Sequence, residues 1–422
     1  MNHGRIDVGI TGIGVVSPFG VGREVFWRAI TAGQSGITAV DGVDPEHWPT
    51  RVVARVPDDA LAAAEDELTA ADRAAEGRSD RRAAKVSRIA VVAAREALKD
   101  AGLSPGSDEI GVVVGSGAGG IDVAERQYGD FFAQDYHRVS PYAIPVSIVG
   151  IVSSEMSIAL GLRGQSHVLS TGCTSSTDAI GYAAGLIRQG EADVVVSGGA
   201  DACATTGMLF GFGRMRATST HFNDRPAEAS RPFDGQRDGF VLGEGAWIVI
   251  VERLDRARAR GARVYATVEG YASTCDAYHR VQMDPEGREI VRCMEMAVAR
   301  SGRARETIGY VSYHGTSTVL NDRVESQCVR KMFGSHADAL PGSSIKSMIG
   351  HPQGASGAAG VVATALAMRD GLLPPTINQT TTDPSCDLDY IPNVARRVEV
   401  EAALCNCLGF GSKNSALVLA RA

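Results

Sequence analysis

The same succession of elements is written twice in this chain, about 200 residues apart. Ala97-Leu98-Lys99-Asp100-Ala101-Gly102 leads through a short polar loop to Ile110-Gly111-Val112-Val113-Val114-Gly115. Ala297-Val298-Ala299-Arg300-Ser301-Gly302 leads in the same way to Ile308-Gly309-Tyr310-Val311-Ser312-Tyr313. Each is a helix, a glycine stop, a loop and a strand. A period this long is no solenoid repeat, so it predicts two related halves. The echo continues in two small-residue, largely apolar helices. One runs from Asp178 to Ile187 and stops near Gly190; the other runs from Ala358 to Ala367 and stops near Gly371. Helices of that composition are buried on every side. Cys173 stands just before the first and His351 just before the second. Halves that meet around the two helices bring Cys173 and His351 together.

Cys173 lies in Ser170-Thr171-Gly172-Cys173-Thr174-Ser175-Ser176, at a strand-to-helix junction. The positive end of a helix dipole favours a thiolate there, so a reactive nucleophile is expected. His314 follows an apolar strand and precedes Gly315-Thr316-Ser317-Thr318, and His351 closes Ile345-Lys346-Ser347-Met348-Ile349-Gly350-His351. Turns at strand ends are where α/β folds place their sites. Gly115-Ser116-Gly117-Ala118-Gly119-Gly120 matches GxGxxG after a strand, but no acidic residue ends a following strand at the spacing a dinucleotide site wants. A tight turn is the better reading. There is no GxSxG, which argues against a nucleophile-elbow hydrolase.

The net charge of −7 argues against nucleic acid as a partner. The eight cysteines are scattered without a CxxC, which reads as a reducing compartment and no structural metal. Cys405 and Cys407 are the nearest pair and are expected to face apart on a strand. No signal sequence is visible, and the longest membrane-like stretch, Gly357 to Met368, has 12 residues, too short to span a bilayer. The expectation is a cytoplasmic protein without a membrane. Residues 58–85, rich in Ala, Asp, Glu and Arg, read as an exposed helical excursion.

Five blocks resemble the β-ketoacyl-acyl-carrier-protein synthases of the thiolase superfamily. They are Ser170-Thr171-Gly172-Cys173-Thr174-Ser175; Ala229-Ser230-Arg231-Pro232-Phe233-Asp234 with Arg237-Asp238-Gly239-Phe240-Val241-Leu242-Gly243-Glu244-Gly245-Ala246; His314-Gly315-Thr316-Ser317-Thr318 with Asn321-Asp322; Ser344-Ile345-Lys346-Ser347 with Gly350-His351; and Gly409-Phe410-Gly411. They stand in family order from the first strand to the last. The resemblance implies an α/β thiolase fold, five-layered αβαβα, built from duplicated halves at residues 1–255 and 256–422. It implies a dimer and decarboxylative Claisen condensation with a malonyl-acyl carrier protein, with no cofactor beyond the carrier's phosphopantetheine.

By resemblance, Cys173, His314 and His351 form the catalytic triad. The backbone N–H groups of Cys173 and Phe410 form the oxyanion hole. Lys346 and Glu325 form a buried ion pair that orders the site. Thr316 and Thr318 match residues on the pantetheine arm, Phe410 a gating aromatic, Phe212 a pocket-lining one, and Ala118 the pocket floor. Arg216 matches a basic residue at the surface that docks an acidic carrier.

Two branches compete. Gly172 and Asp178 look like the catalytic α-subunit of bacterial type II polyketide synthases, which pairs with a chain-length factor. Fatty-acid elongating synthases, which are homodimers, more often carry alanine and a nearby histidine at those positions. Gly411-Ser412-Lys413-Asn414 and Val281-Gln282-Met283 depart from both branches. The balance favours polyketide synthesis. A non-catalytic chain-length factor is disfavoured because Cys173, His314 and His351 are all present.

Overall fold

The computed structural model describes residues 6–67 and 83–422. Ten strands carry the fold. In the first half they are β1 (Val8–Ser17), β2 (Gly111–Gly115), β3 (Ser166–Leu169), β4 (Val194–Ala202) and β5 (Leu242–Arg253). In the second half they are β6 (Ala266–Cys275), β7 (Tyr310–Ser312), β8 (Gly342–Ser343), β9 (Ala402–Gly409) and β10 (Lys413–Ala420). The spatial order is β3-β2-β4-β5-β1 in the first and β8-β7-β9-β10-β6 in the second. These are the same order displaced by five strands. The directions match as well: β2 is parallel to β3 and β4, as β7 is to β8 and β9. The remaining neighbours in each half are antiparallel. A short bridge, Gly9 to Thr267 and Ile10 to Ala266, joins the two sheets through β1 and β6.

Six helices complete five layers. Helices α1 (Lys85–Ala101) and α2 (Ile151–Leu160) cover the outer face of the first sheet. Helices α4 (Arg288–Ser301) and α5 (Val319–Phe333) cover the outer face of the second. Between the sheets lie α3 (Ser175–Gln189) and α6 (Ser356–Asp370).

The layering follows from strands buried on both faces. On β5, Trp247, Val249 and Val251 face the central helices, while Ala246, Ile248 and Ile250 face α1. On β10, Leu417 and Leu419 face inward, and Ala416, Val418 and Ala420 face α4. The duplicated helix stops are real: Gly102 and Gly302 end α1 and α4 at φ 67° and 76°, a left-handed conformation that glycine adopts without penalty.

The central helices touch because their residues are small. A Cβ placed on Gly357 would lie 1.9 Å from Thr177 Oγ1. Ser176 Oγ accepts the Ala358 N–H at 2.8 Å across the same contact. The expectation that Cys405 and Cys407 face apart fails, because residues two apart on a strand share a face. Both point to the central layer: Cys405 meets Thr364 of α6 and Cys407 meets Cys173 and His314. All eight cysteines are free. The excursion at 58–85 is helical over Asp58–Asp66; its residues 68–82 lie outside the described residues. No helix among the described residues is long and apolar enough to cross a membrane.

Candidate active site

Cys173 sits on a single 3-10 turn, Gly172–Thr174, that runs straight into α3. Asp178, in the first turn of α3, ties this junction down. One of its carboxylate oxygens accepts the Thr171 hydroxyl at 2.5 Å and the Thr174 hydroxyl at 2.9 Å, and the other accepts Tyr271 Oη at 2.9 Å. Ser175 Oγ closes the turn, donating to Gly172 O at 2.6 Å and accepting from Thr171 N at 2.9 Å.

The thiol does not rest as a thiolate. Burial pushes Cys173 up to about 11, against the pull of the Phe410 and Cys173 backbone N–H groups and of Lys346. This corrects the expectation from the helix start: desolvation of the buried sulfur outweighs the favourable dipole. The same two N–H groups are the ones that favour the charged sulfur. The approach is close: a Cβ on Gly409 would lie 3.2 Å from Cys173 N.

His351 does not occupy the position equivalent to Cys173. In the second half the 3-10 turn before α6 is Gln353–Ala355, so Gly354 is the counterpart of Cys173. His351 lies three residues upstream, pinned by its N–H to Val241 O at 2.7 Å and its carbonyl to Gly243 N at 3.0 Å. Its Nδ1 is 2.8 Å from Ser356 Oγ. His314 follows β7, with its ring centroid 5.3 Å from that of His351 and nearly perpendicular at 83°. Cys173 Sγ and one nitrogen of each ring lie within 4.8 Å of one another. A metal ion could bridge that spacing, but Lys346 sets a cation beside it. Burial first, and Lys346 second, hold both histidines well below the ordinary imidazole range, so both are neutral.

Lys346 and Glu325 meet at His314 rather than at each other. Glu325 accepts the N–H of His314 at 2.7 Å, that of Gly315 at 2.8 Å and the Asn406 amide at 2.7 Å. Lys346 Nζ donates to His314 O at 2.7 Å and lies 3.5 Å from Nδ1. The expected direct ion pair is replaced by a backbone relay, because four N–H donors, the fourth being the Asn321 amide at 3.4 Å, fill the carboxylate. Burial pushes Glu325 up to about 7 and pulls Lys346 down. Nδ1 has the Lys346 ammonium and Cys407 Sγ each 3.5 Å away, and the lysine, with only donors to offer, favours the tautomer with the proton on Nε2.

A cavity of about 320 Å³ opens onto this cluster. Cys173, His314, His351, Thr316, Thr318, Phe410 and Arg216 all line it, with the two threonine hydroxyls 2.9 Å apart. Phe212 and Ala118 are not on its wall. Phe212 stacks on Phe410 at 6.4 Å and meets Phe240 edge-on at 5.3 Å. Ala118 packs in the same apolar cluster as Phe240 and Phe410. The GxGxxG segment is a turn whose polar groups are spent internally. Ser116 Oγ, Gly117 N and Ala118 N all donate to the Asp201 carboxylate, which leaves no cradle for a phosphate.

Sequence reasoning passed over Asp178 as a structural tie, Ser356 as the partner of His351, and Phe240, whose ring meets His351 at 5.4 Å. The available signal was position: Asp178 and Ser356 both fall in the first turn of a buried helix, where a polar side chain needs a partner.

Two family models match in succession: "Beta-ketoacyl synthase, N-terminal domain" over residues 6–257 and "Beta-ketoacyl synthase, C-terminal domain" over residues 265–380. The chain is 39% identical over 415 residues to a 3-oxoacyl-[acyl-carrier-protein] synthase 2 of Coxiella burnetii, covering 98% of each. It is 40% identical over 435 residues to the tetracenomycin polyketide synthase ketoacyl synthase alpha subunit of Streptomyces glaucescens, covering 99% of this chain and 98% of the relative. Its fold matches a chain from the complex of a type II polyketide synthase acyl-carrier protein with its ketosynthase, with TM-score 0.89, 30% identity and 99% and 100% coverage. It also matches a chain of the ishigamide ketosynthase/chain length factor, with TM-score 0.88, 31% identity and the same coverage. The duplicated sheets and the chemistry gathered between them thus have their counterparts along the whole chain, which belongs to the β-ketoacyl synthase family and is a condensing acyltransferase of thiolase fold.

Proposed function

We propose that this chain is the catalytic ketosynthase subunit of a type II polyketide system. It condenses an acyl group held on Cys173 with malonyl-acyl carrier protein and lengthens the chain by two carbons. The observation that carries this reading is the convergence of Cys173 Sγ and one nitrogen from each of two neutral histidines within 4.8 Å at a cavity wall.

The geometry supports a sequence of steps. The Cys173 thiol loses its proton as the sulfur attacks the carrier's acyl thioester. His351 accepts that proton and returns it to the departing pantetheine sulfur, so acyl transfer is proton-neutral. The N–H groups of Cys173 and Phe410 hold the tetrahedral oxyanion. Malonyl-carrier protein then loses carbon dioxide, and the bond electrons pass to an enolate. His314 Nε2–H and His351 donate to the enolate oxygen. Ser356 Oγ can either donate to or accept from His351 Nδ1, so it tolerates both tautomers that these two steps require. The enolate carbon attacks the acyl thioester on Cys173. The thiolate released takes up one proton.

Lys346 and Glu325 orient His314, Thr316 and Thr318 guide the arm, and Arg216 at the cavity mouth meets the acidic carrier. Phosphopantetheine of the carrier is the only prosthetic group the reading needs, and it arrives with the substrate. The enzyme works in the cytoplasm, without nucleic acid or a membrane. Gly172 and Asp178 support the polyketide branch, and the similar solved structures include a type II polyketide ketosynthase complex and a ketosynthase/chain length factor. The partner is a chain-length factor in a heterodimer, with a homodimer as the alternative. An exposed apolar stretch including Phe131, Phe132, Tyr142 and Ile144 supports a subunit partner, because monomers rarely leave such surface bare.

The test is intact-mass detection of acyl groups on Cys173 with carrier proteins from the native host. Acylation followed by a two-carbon extension on malonyl-carrier protein is expected. Extension of fully reduced chains only, by a homodimer, would move the chain to fatty-acid elongation.

A further inference from the structure

Two neighbouring segments of the cavity wall are tied together by one hydroxyl. One is the end of β9, with Leu408 and Gly409, and the turn after it, with Phe410; the other is the loop after β6, with Val281, Gln282 and Met283. Ser412 lies between them, 6% exposed. It holds φ at 64°, a left-handed conformation that disfavours any side chain with a Cβ. Glycine would be easier there, so the side chain needs another justification, and its hydrogen bonds supply one. Oγ accepts the N–H of Tyr278 and of His279, each at 3.2 Å, and donates to His279 O at 2.9 Å. That uses the full capacity of a hydroxyl. Backbone bonds add to the tie: Asp276 N donates to Ser412 O at 2.8 Å, and Gly411 N donates to Arg280 O at 2.9 Å. Inside the loop, His279 Nδ1 accepts the N–H of Val281 and Gln282 at 3.1 Å, so the latch extends to the residues that reach the cavity.

We propose that Ser412 is a positioning residue that latches the 276–283 loop to the Phe410 turn and thereby restrains the entry of long acyl chains. Phe410 both lines the Cys173 cavity and packs in the apolar cluster of Ala118, Met208 and Phe212. A long chain reaches that cluster only when the turn carrying Phe410 shifts, and the turn shifts only with the loop or by releasing it. The chain-length part of this inference rests on the proposed ketosynthase activity; the latch itself does not.

Ser412→Gly and Ser412→Ala separate the latch from backbone strain. Glycine removes the hydroxyl and relieves the left-handed φ, whereas alanine removes the hydroxyl and keeps the strain. Amide hydrogen exchange on the whole protein is expected to rise about tenfold in both the 276–283 and the 408–412 segments for both variants, the size of one net hydrogen bond. The ratio of Cys173 acylation rates with long-chain and short-chain acyl carriers is expected to rise by a similar factor in the same two variants, with KM for the carrier unmoved. Exchange that rises in the 408–412 segment alone, or a long-to-short ratio within twofold of wild type, overturns the proposal. A wild-type protein that accepts no acyl group at all defeats the functional reading instead, and the exchange result then still decides the latch.

Discussion

Lys346 holds His314 at two points: its ammonium donates to the His314 carbonyl at 2.7 Å and lies 3.5 Å from Nδ1. One residue thus holds the backbone and favours the Nε2–H tautomer of the ring that faces the cavity. The N–H on Nε2 is the group that an enolate oxygen needs. Lys346→Ala is therefore expected to cut decarboxylation of malonyl-carrier protein by about 10²-fold, the usual cost of losing one aimed donor. Acylation of Cys173 should fall less than tenfold. Lys346→Arg should not restore decarboxylation, because a planar fork does not reproduce a point donor in a closed site. Radiolabelled carbon dioxide release and intact mass separate the two half-reactions; equal losses in both would remove the selective role.

The resting state of Cys173 is open to direct measurement. With the thiol pushed up to about 11, the thiolate fraction grows tenfold per pH unit throughout the neutral and mildly alkaline range. Alkylation by iodoacetamide, followed at Cys173 by mass spectrometry, should rise about tenfold from pH 7 to 8 and again from 8 to 9. A plateau below pH 8 would mean that the helix start outweighs burial after all.

Cys173→Ala should abolish condensation while leaving the thermal transition in place. Cys173→Gln should also block acylation but retain decarboxylation, since a neutral amide can occupy the acyl-thioester position beside the two N–H donors. Both are read by carbon dioxide release. A Gln variant that is silent in decarboxylation would merge the histidine step with the acyl step.

The fold was legible where the signal was local and repeated. The glycine stops at 102 and 302 and the two small-residue helices are encoded by composition and period, and the sheets follow in the same order in each half. The meeting of Cys173 with His351 was legible for the same reason. The balance of burial against dipole at Cys173 was not, because it depends on how much protein surrounds the sulfur from elements far apart in sequence. Nor was the relay through His314: opposite charges in two motifs suggested a direct pair, whereas the Glu325 carboxylate is filled by the N–H groups of His314 and Gly315 and the amides of Asn406 and Asn321. Ala118 illustrates a third limit. Alignment by motif places it near the pocket, but the Phe240 and Phe410 rings set where the wall stands.

That placement sharpens what a larger residue does there. Ala118→Phe fills the cluster behind Phe410 without touching the cavity in front. Short acyl chains should load at the wild-type rate, while long ones should lose about tenfold or more, comparable to overpacking a filled apolar site. Product length by mass spectrometry checks it; an unchanged profile would show that chains never pass Phe410.

The two buried histidines also leave a signature in stability. Both are held well below the ordinary value of 6.5 in the fold, while in the unfolded chain they titrate near it. Below about pH 6.5 the unfolded chain binds protons that the fold does not. The contribution of the two rings is complete above that pH and is lost as pH falls, at a limiting slope of about 1.4 kcal/mol per pH unit for each ring. Glu325 acts in the opposite sense: raised from 4.5 to about 7 by burial, it binds a proton in the fold first, so its contribution fades as pH rises from 4.5 to 7. Two rings against one carboxyl leave a net loss between pH 6.5 and 5. Asp201, Asp276 and Asp322 are raised too, so the clean measurement is a difference. The melting temperature of wild type should fall more from pH 7 to 5 than that of the His314→Asn, His351→Asn double variant. Parallel curves for the two proteins would mean that the imidazoles take up protons in the fold, and with them would go the assignment of neutral rings as donors to the enolate.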